Sequence, residues 1–232
     1  MKNALRIFFV FAIVLPAVFM PCGSYAQKRI YTRSLKLQDF KSKTTMVVLD
    51  GQDAFSEALR TEVTSIWSIS PYAFCTRDEY EKQKNSPDVY FIRTQTVKGI
   101  VYLTLGRGGN ENDADALKRP VTVVSLPVAG ASDGSFRTAL YMPAFLSIVQ
   151  DYAEAAVNSE YAAYTGLSAI KRKIPKGVTV ISDPAEAARA FRDADPYAAV
   201  RLVITPSGDP SDKPRCKLTF GVADYRFYSL KK

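Results

Sequence analysis

The stretch that decides the fold is TTMVVLDGQDAFSEALRTEVTSIW, residues 44–67. Met46–Leu49 is an apolar run of strand length, and Asp50-Gly51 after it is a turn signal. Asp53 stands where a carboxylate can accept from the free N–H groups that open a helix. Phe55, Ala58, Leu59, Val63, Ile66 and Trp67 then recur at steps of three and four. That spacing predicts an amphipathic helix with one buried stripe, Trp67 included in the core. A short strand leading through a capped turn into such a helix is the unit from which α/β sheets are built.

Working outward, the same grammar recurs. Tyr72–Cys75 reads as a strand, and Thr76-x-x-Glu79 has the spacing of a capping box at the start of a brief helix. The neighbourhood of Pro87 ends that helix and Asp88–Arg93 is a strand again. KGIVYLTLGRG and PVTVVSLPV supply two more strands around a loop over 106–119, with Val97-Lys98-Gly99 as a turn. A single helix is expected from Met142 to a stop at Gly166, with Pro143 in its first turn. Its buried stripe is Phe145, Ile148, Val149, Tyr152, Ala156 and Val157. Val178–Ile181 is a strand, Asp183-Pro184-x-Glu186 caps a helix, and Ala187, Ala188 and Phe191 face inward. Asp195-Pro196 ends it, Ala198–Thr205 is a strand, and CKLTFGVADYRFYSL closes the chain as one or two strands. The fold class expected is α/β, with α+β as the alternative: a mixed sheet with helices packed on it. Strand, capped helix, strand occurs at 72–94 and again at 178–205, so two degenerate repeats are a possible plan.

The first 26 residues have a different character. Lys2 and Arg6 precede the apolar run 7–20, and small polar residues follow in PCGSYA. This is the layout of a secretory signal, and fourteen residues interrupted by Pro16 are short of a membrane span. Ser24-Tyr25-Ala26 fits cleavage after Ala26, which leaves one α/β domain over 27–232; the alternative is two similar halves, 27–130 and 131–232. The competing processing route makes Cys22 a lipid-bearing first residue, but Phe19-Met20-Pro21 is a poor approach to it. The address expected is periplasmic or secreted, or a lipoprotein anchored at Cys22.

Composition narrows the chemistry. The chain is 47% hydrophobic and 12% aromatic, a globular balance that needs no disulfide to hold a core. Its formal charge of +8 falls by two when Lys2 and Arg6 leave, an excess read as solvated surface with no nucleic-acid partner. Histidine is absent, which removes His-based triads, His metal ligands and a His acid–base group. The cysteines have no metal-binding spacing. No metal and no cofactor are therefore expected. Cys75 and Cys216 both sit in apolar strand-like settings and either pair as a disulfide or stay as separate buried thiols.

Four further features are weighed as sites. Gly106, Gly108 and Gly109 lack the spacing of a phosphate loop, and Glu111, Asp113 and Asp115 lack that of a calcium loop, so 105–120 reads as a connection. Lys171, Arg172, Lys173 and Lys176 form a basic run that either contacts an anionic surface or stays solvated beyond a helix C-terminus. Tyr141, Tyr152, Tyr161 and Tyr164 lie at helical spacing, more in keeping with core and rim than with a glycan platform. The catalytic residues stay unknown: no SxxK, no GxSxG and no placed pair of carboxylates appears.

With these residues in view, 45–97 resembles in outline the N-terminal α/β module of TolB-type and curli-secretion-type envelope proteins. The likeness lies in the strand, the amphipathic helix and the next strand, whose following helix opens with an Arg-x-x-x-Glu-like motif, here Arg77 to Glu81. The leader, the MPAFLSIVQDYAEA helix and the RLVITPSG strand also resemble uncharacterised exported proteins of anaerobic Gram-negative bacteria. The resemblance implies a fold and an address and carries no catalytic residue across. The function expected is a non-enzymatic envelope module that binds another envelope protein or a cell-surface glycan. The alternatives are a hydrolase using carboxylates or Ser/Lys, and a small-ligand-binding protein.

Overall fold

The structure, a computed structural model, describes residues 32–231 apart from 34, 52, 134–136, 210, 211, 214 and 215. The expected leader, the expected cleavage after Ala26 and Cys22 all fall outside the described residues.

Strand β1 (Thr45–Leu49) runs into helix α1 (Ala54–Ile66), which Asp53 caps by accepting from the amides of Phe55 and Ser56. Strand β2 (Tyr72–Thr76) leads to helix α2 (Arg77–Gln83), and the capping box between Thr76 and Glu79 is complete. Strands β3 (Tyr90–Val97), β4 (Ile100–Arg107) and β5 (Val121–Gly130) follow as an antiparallel meander. The hairpin between β3 and β4 turns on Lys98 and Gly99, both at positive φ, the conformation that two-residue hairpin loops need. The sheet order is β2-β1-β3-β4-β5, with β1 parallel to both of its neighbours.

The second sheet is smaller. Strand β6 (Thr179–Ile181), helix α5 (Pro184–Arg192) and strand β7 (Ala198–Ile204) make a parallel crossover, and β8 (Cys216–Gly221) and β9 (Phe227–Lys231) complete the order β6-β7-β8-β9. The two sequence repeats therefore share a plan of strand, capped helix, strand and antiparallel meander. They differ in that β1 is inserted between β2 and β3, whereas β6 and β7 are direct neighbours.

Between the sheets in sequence stand helices α3 (Met142–Asn158) and α4 (Glu160–Thr165). The expected single helix is broken at Ser159. Its φ of −147° and ψ of 122° leave the helix, and its hydroxyl accepts from the Ala162 amide to open a new one. Tyr152 Oη then donates to the carbonyls of Ala162 and Ala163, which holds α4 against α3. Gly166 ends α4 at φ 64°.

Helix α3 packs on α1 and β5, and its N-terminal end meets the second sheet in an aromatic cluster. Phe220 of β8 lies 5.7 Å from Tyr141, 6.0 Å from Phe145 and 6.3 Å from Phe191, ring centre to ring centre. One apolar core thus spans both sheets, and the proposed halves 27–130 and 131–232 share it. The other face of the first sheet carries a thin cluster of Val48, Cys75 and Phe91, which α2 covers with Tyr80 edge-on to Phe91 at 5.0 Å. Among the described residues no helix is long and apolar enough to cross a membrane.

Candidate functional site

The insertion of β1 between β2 and β3 creates a switch point: α1 and α2 carry the chain to opposite sides of β1. In open α/β sheets a crevice forms there, beyond the carboxyl ends of the strands. Here it has a volume of about 240 Å³ and is lined by Asp50, which follows β1, by Asp53, and by Thr94 and Thr96 of β3. Asp133 and Thr138 close its far side. All three of its carboxylates are engaged, Asp133 with Arg137. Asp50 accepts from Thr94 Oγ1 at 3.1 Å and faces Arg77 at 3.5 Å. Asp53 accepts from two helix amides and, at 3.2 Å, from Ser56 Oγ.

A larger cleft adjoins it. Strand β6 has three residues and pairs with β7 only from Ala198 to Val200, while β7 continues to Ile204. The corner of the second sheet that a longer β6 would occupy is a cleft of about 570 Å³. Its walls are apolar: Leu140 from the turn Arg137–Tyr141, Ala187 and Ala188 from α5, and Leu202 and Ile204 from β7. Three arginines from three different elements, Arg137, Arg192 and Arg201, are among the residues that line it, and all three are solvent-exposed. Arg137 pairs with the buried carboxylate of Asp133 at 3.7 Å and donates to the Gly208 carbonyl. Arg192 and Arg201 make no ion pair among the described residues.

The two cavities share Ala129, Gly130, Asp133 and Thr138 as a common wall. Thr138 is 7% exposed and its hydroxyl is buried with no hydrogen-bond partner among the described residues. The wall is held by a close approach between the sheets, because Gly130 packs directly on the backbone of Thr205 and Pro206. The composite crevice is divided electrostatically. Among the described lining residues, the switch-point end carries three aspartates, two of them paired with Arg77 and Arg137 from outside its lining, and the β7 end carries three arginines and one aspartate.

The features singled out from sequence lie elsewhere. Cys75 is buried in β2 and Cys216 in β8, in different sheets and different apolar clusters, with no disulfide joining them. Burial, with smaller contributions from Glu79 and Asp50, pushes the Cys75 thiol up to about 11. Lys171, Arg172, Lys173 and Lys176 are exposed on an extended segment tied to β9 by the Arg172 amide, which donates to the Phe227 carbonyl at 2.9 Å. Lys171 lines a polar cavity of about 420 Å³ that also holds Arg33, Tyr164 and Lys231. Tyr141 and Tyr152 are core, whereas Tyr161 and Tyr164 stand exposed on α4.

The connection 105–120 uses its own donors. Gly108 and Gly109 give their amides to the carbonyls of Val89 and Lys84, Asp113 accepts from the Asp115 amide, and Asp115 accepts from that of Leu117. No group of three potential ligands placed to hold a metal occurs among the described residues. Arg77 and Glu81 do approach, at 3.6 Å on the surface of α2.

Sequence reading passed over Asp133, Arg137, Thr138, Arg192 and Arg201. One signal was available for the acidic end: Asp50 is a carboxylate placed directly after a central parallel strand, where α/β folds gather their sites. The chain matches no protein-family model, no curated protein and no solved structure.

Proposed function

We propose that this chain is exported and acts outside the cytoplasmic membrane as a non-enzymatic binding module, seating an anionic ligand in the cleft beside β7. The observation that carries this reading is that Arg137, Arg192 and Arg201 line one largely apolar cleft of about 570 Å³. Ligand sites of that size combine apolar walls with a few placed polar groups, and guanidinium forks match carboxylate geometry. Arg192 and Arg201 come from α5 and β7, elements whose backbones the core already fixes.

Titration of the purified protein with phenylacetate, an aromatic ring bearing one carboxylate, tests this. Saturable binding is expected, with chemical-shift changes confined to the cleft. Arg192→Gln with Arg201→Gln should weaken it by roughly tenfold or more, the scale of a lost charge-assisted hydrogen bond. Equal affinity in the double variant would overturn the reading. The export step has its own check: intact mass of the protein from its native cells is expected to begin at Gln27, and a chain still carrying Met1 refutes it.

A second reading, a hydrolase without histidine, draws on Asp50, Asp53 and Asp133 lining one crevice. It is the weaker of the two, because Asp53 spends its carboxylate on the cap of α1 and Asp50 on Thr94 and Arg77.

A further inference from the structure

We infer that the ligand of the cleft is an extended, acidic peptide segment that adds to β7 as an extra strand. This rests on the cleft-binding reading above and specifies the ligand class. The argument begins with the mismatch between the two parallel strands. Arg201, Leu202, Val203 and Ile204 pair with β8 in the register Arg201↔Thr219 to Ile204↔Cys216, and β6 stops opposite Val200. Alternate residues of a strand turn their N–H and C=O groups to opposite sides. Part of the β7 backbone beyond Val200 therefore faces the cleft, where no described strand meets it. A sheet edge of that kind is a template for another strand.

Dimensions agree. Four strand residues extend about 13 Å at ~3.3 Å each, and an added strand needs ~4.8 Å laterally and ~10 Å between layers, roughly 600 Å³ in all. The cleft holds about 570 Å³. Its layers are already present, with α5 supplying Ala187 and Ala188, and the turn Arg137–Tyr141 supplying Leu140. Such walls receive every second side chain of an extended segment, and the others reach the rim.

Charge then selects among peptides. Of the three arginines that line the cleft, Arg137 is matched by Asp133, whereas Arg192 and Arg201 make no ion pair among the described residues. An acidic side chain or a C-terminal carboxylate supplies it. A small aromatic carboxylate satisfies the arginines but offers few groups to the strand edge. A peptide offers donors and acceptors at the spacing of β7 itself.

The test uses the ¹⁵N-labelled protein and three probes: the capped pentapeptide acetyl-Val-Glu-Val-Glu-Val-amide, the same peptide with every backbone amide N-methylated, and phenylacetate. The unmodified peptide is expected to shift the amides of 201–205. N-methylation should weaken it roughly thirtyfold, the effect of losing about two backbone hydrogen bonds. If both peptides bind equally, or phenylacetate binds and neither peptide does, strand addition is wrong while the cleft-binding reading stands. If no probe moves the cleft resonances, both fall. If the same resonances move with protein concentration alone and the chain dimerises, the edge is taken by a second copy and the peptide assignment is overturned.

Discussion

Tyr90 Oη donates to Asp39 Oδ1 at 2.8 Å, joining the buried start of β3 to the helical turn that precedes β1. Lys43 pairs with the same carboxylate at 2.9 Å and with Asp88 at 2.9 Å, and Arg107 reaches over to the Lys36 carbonyl. The lower edge of the first sheet is thus laced by one polar network under an apolar ceiling.

Tyr90→Phe should cost about 1–2 kcal/mol in urea denaturation, because Asp39 loses a donor in a buried setting. The variant also has a pH signature. Burial first, and Asp39 second, raise the phenol far above its ordinary value of 10.0. A raised acid holds its full contribution below that ordinary value and loses it as pH climbs above it. The parent is expected to lose stability above pH 10 more steeply than the Phe variant; parallel slopes would contradict the network.

Phe220 touches Tyr141, Phe145 and Phe191, and so connects β8 to α3 and α5. Truncation to Ala leaves a cavity worth about 3–5 kcal/mol. Since the core is continuous across both sheets, calorimetry should show one cooperative transition, moved to lower temperature. Two separated transitions in the parent would mean that the sheets fold apart.

Cys75 should resist iodoacetamide at pH 8, because its thiol ionises only near 11 and sits beneath α2. Mass spectrometry is expected to find it unmodified in the native protein and alkylated after denaturation. The sign for stability follows the same rule: the contribution is intact below the thiol's ordinary 9.0 and declines as pH rises towards 11. Rapid native labelling at pH 8 would contradict the burial.

Gly130→Ala places a methyl group against the Thr205 carbonyl and the Gly208 amide, both backbone atoms that cannot swing away. A loss of about 1–3 kcal/mol is expected from the overpacking. Because Gly130 belongs to the wall shared by the two cavities, phenylacetate affinity should fall as well. Unchanged stability would show that this approach is loose.

Much of the fold was legible because its signals are local. Asp53, Thr76 with Glu79, and Asp183 announce helix starts by chemistry confined to three residues, and all three act as caps. Ser159 was missed although it is a cap residue of the same kind, because the apolar stripe of α3 runs on through it and outweighed the local cue. Strand order was not legible. That β1 lies between β2 and β3 depends on crossovers whose ends meet far apart in sequence. The cleft was hidden for the same reason. Arg137, Arg192 and Arg201 share no spacing along the chain, and the notch exists only because β6 is shorter than β7.

The central place of β1 has a temporal consequence. Thr45 must find Tyr72 on one side and Tyr90 on the other, whereas β3, β4 and β5 close on near neighbours. Non-local parallel pairing is slow compared with hairpin closure. Pulsed hydrogen exchange should therefore find β4 protected before β1, and the reverse order would contradict this. A chain synthesised from its amino terminus delivers β1, which pairs on both sides, before either of its partners has emerged, so its ladder waits for the strands behind it.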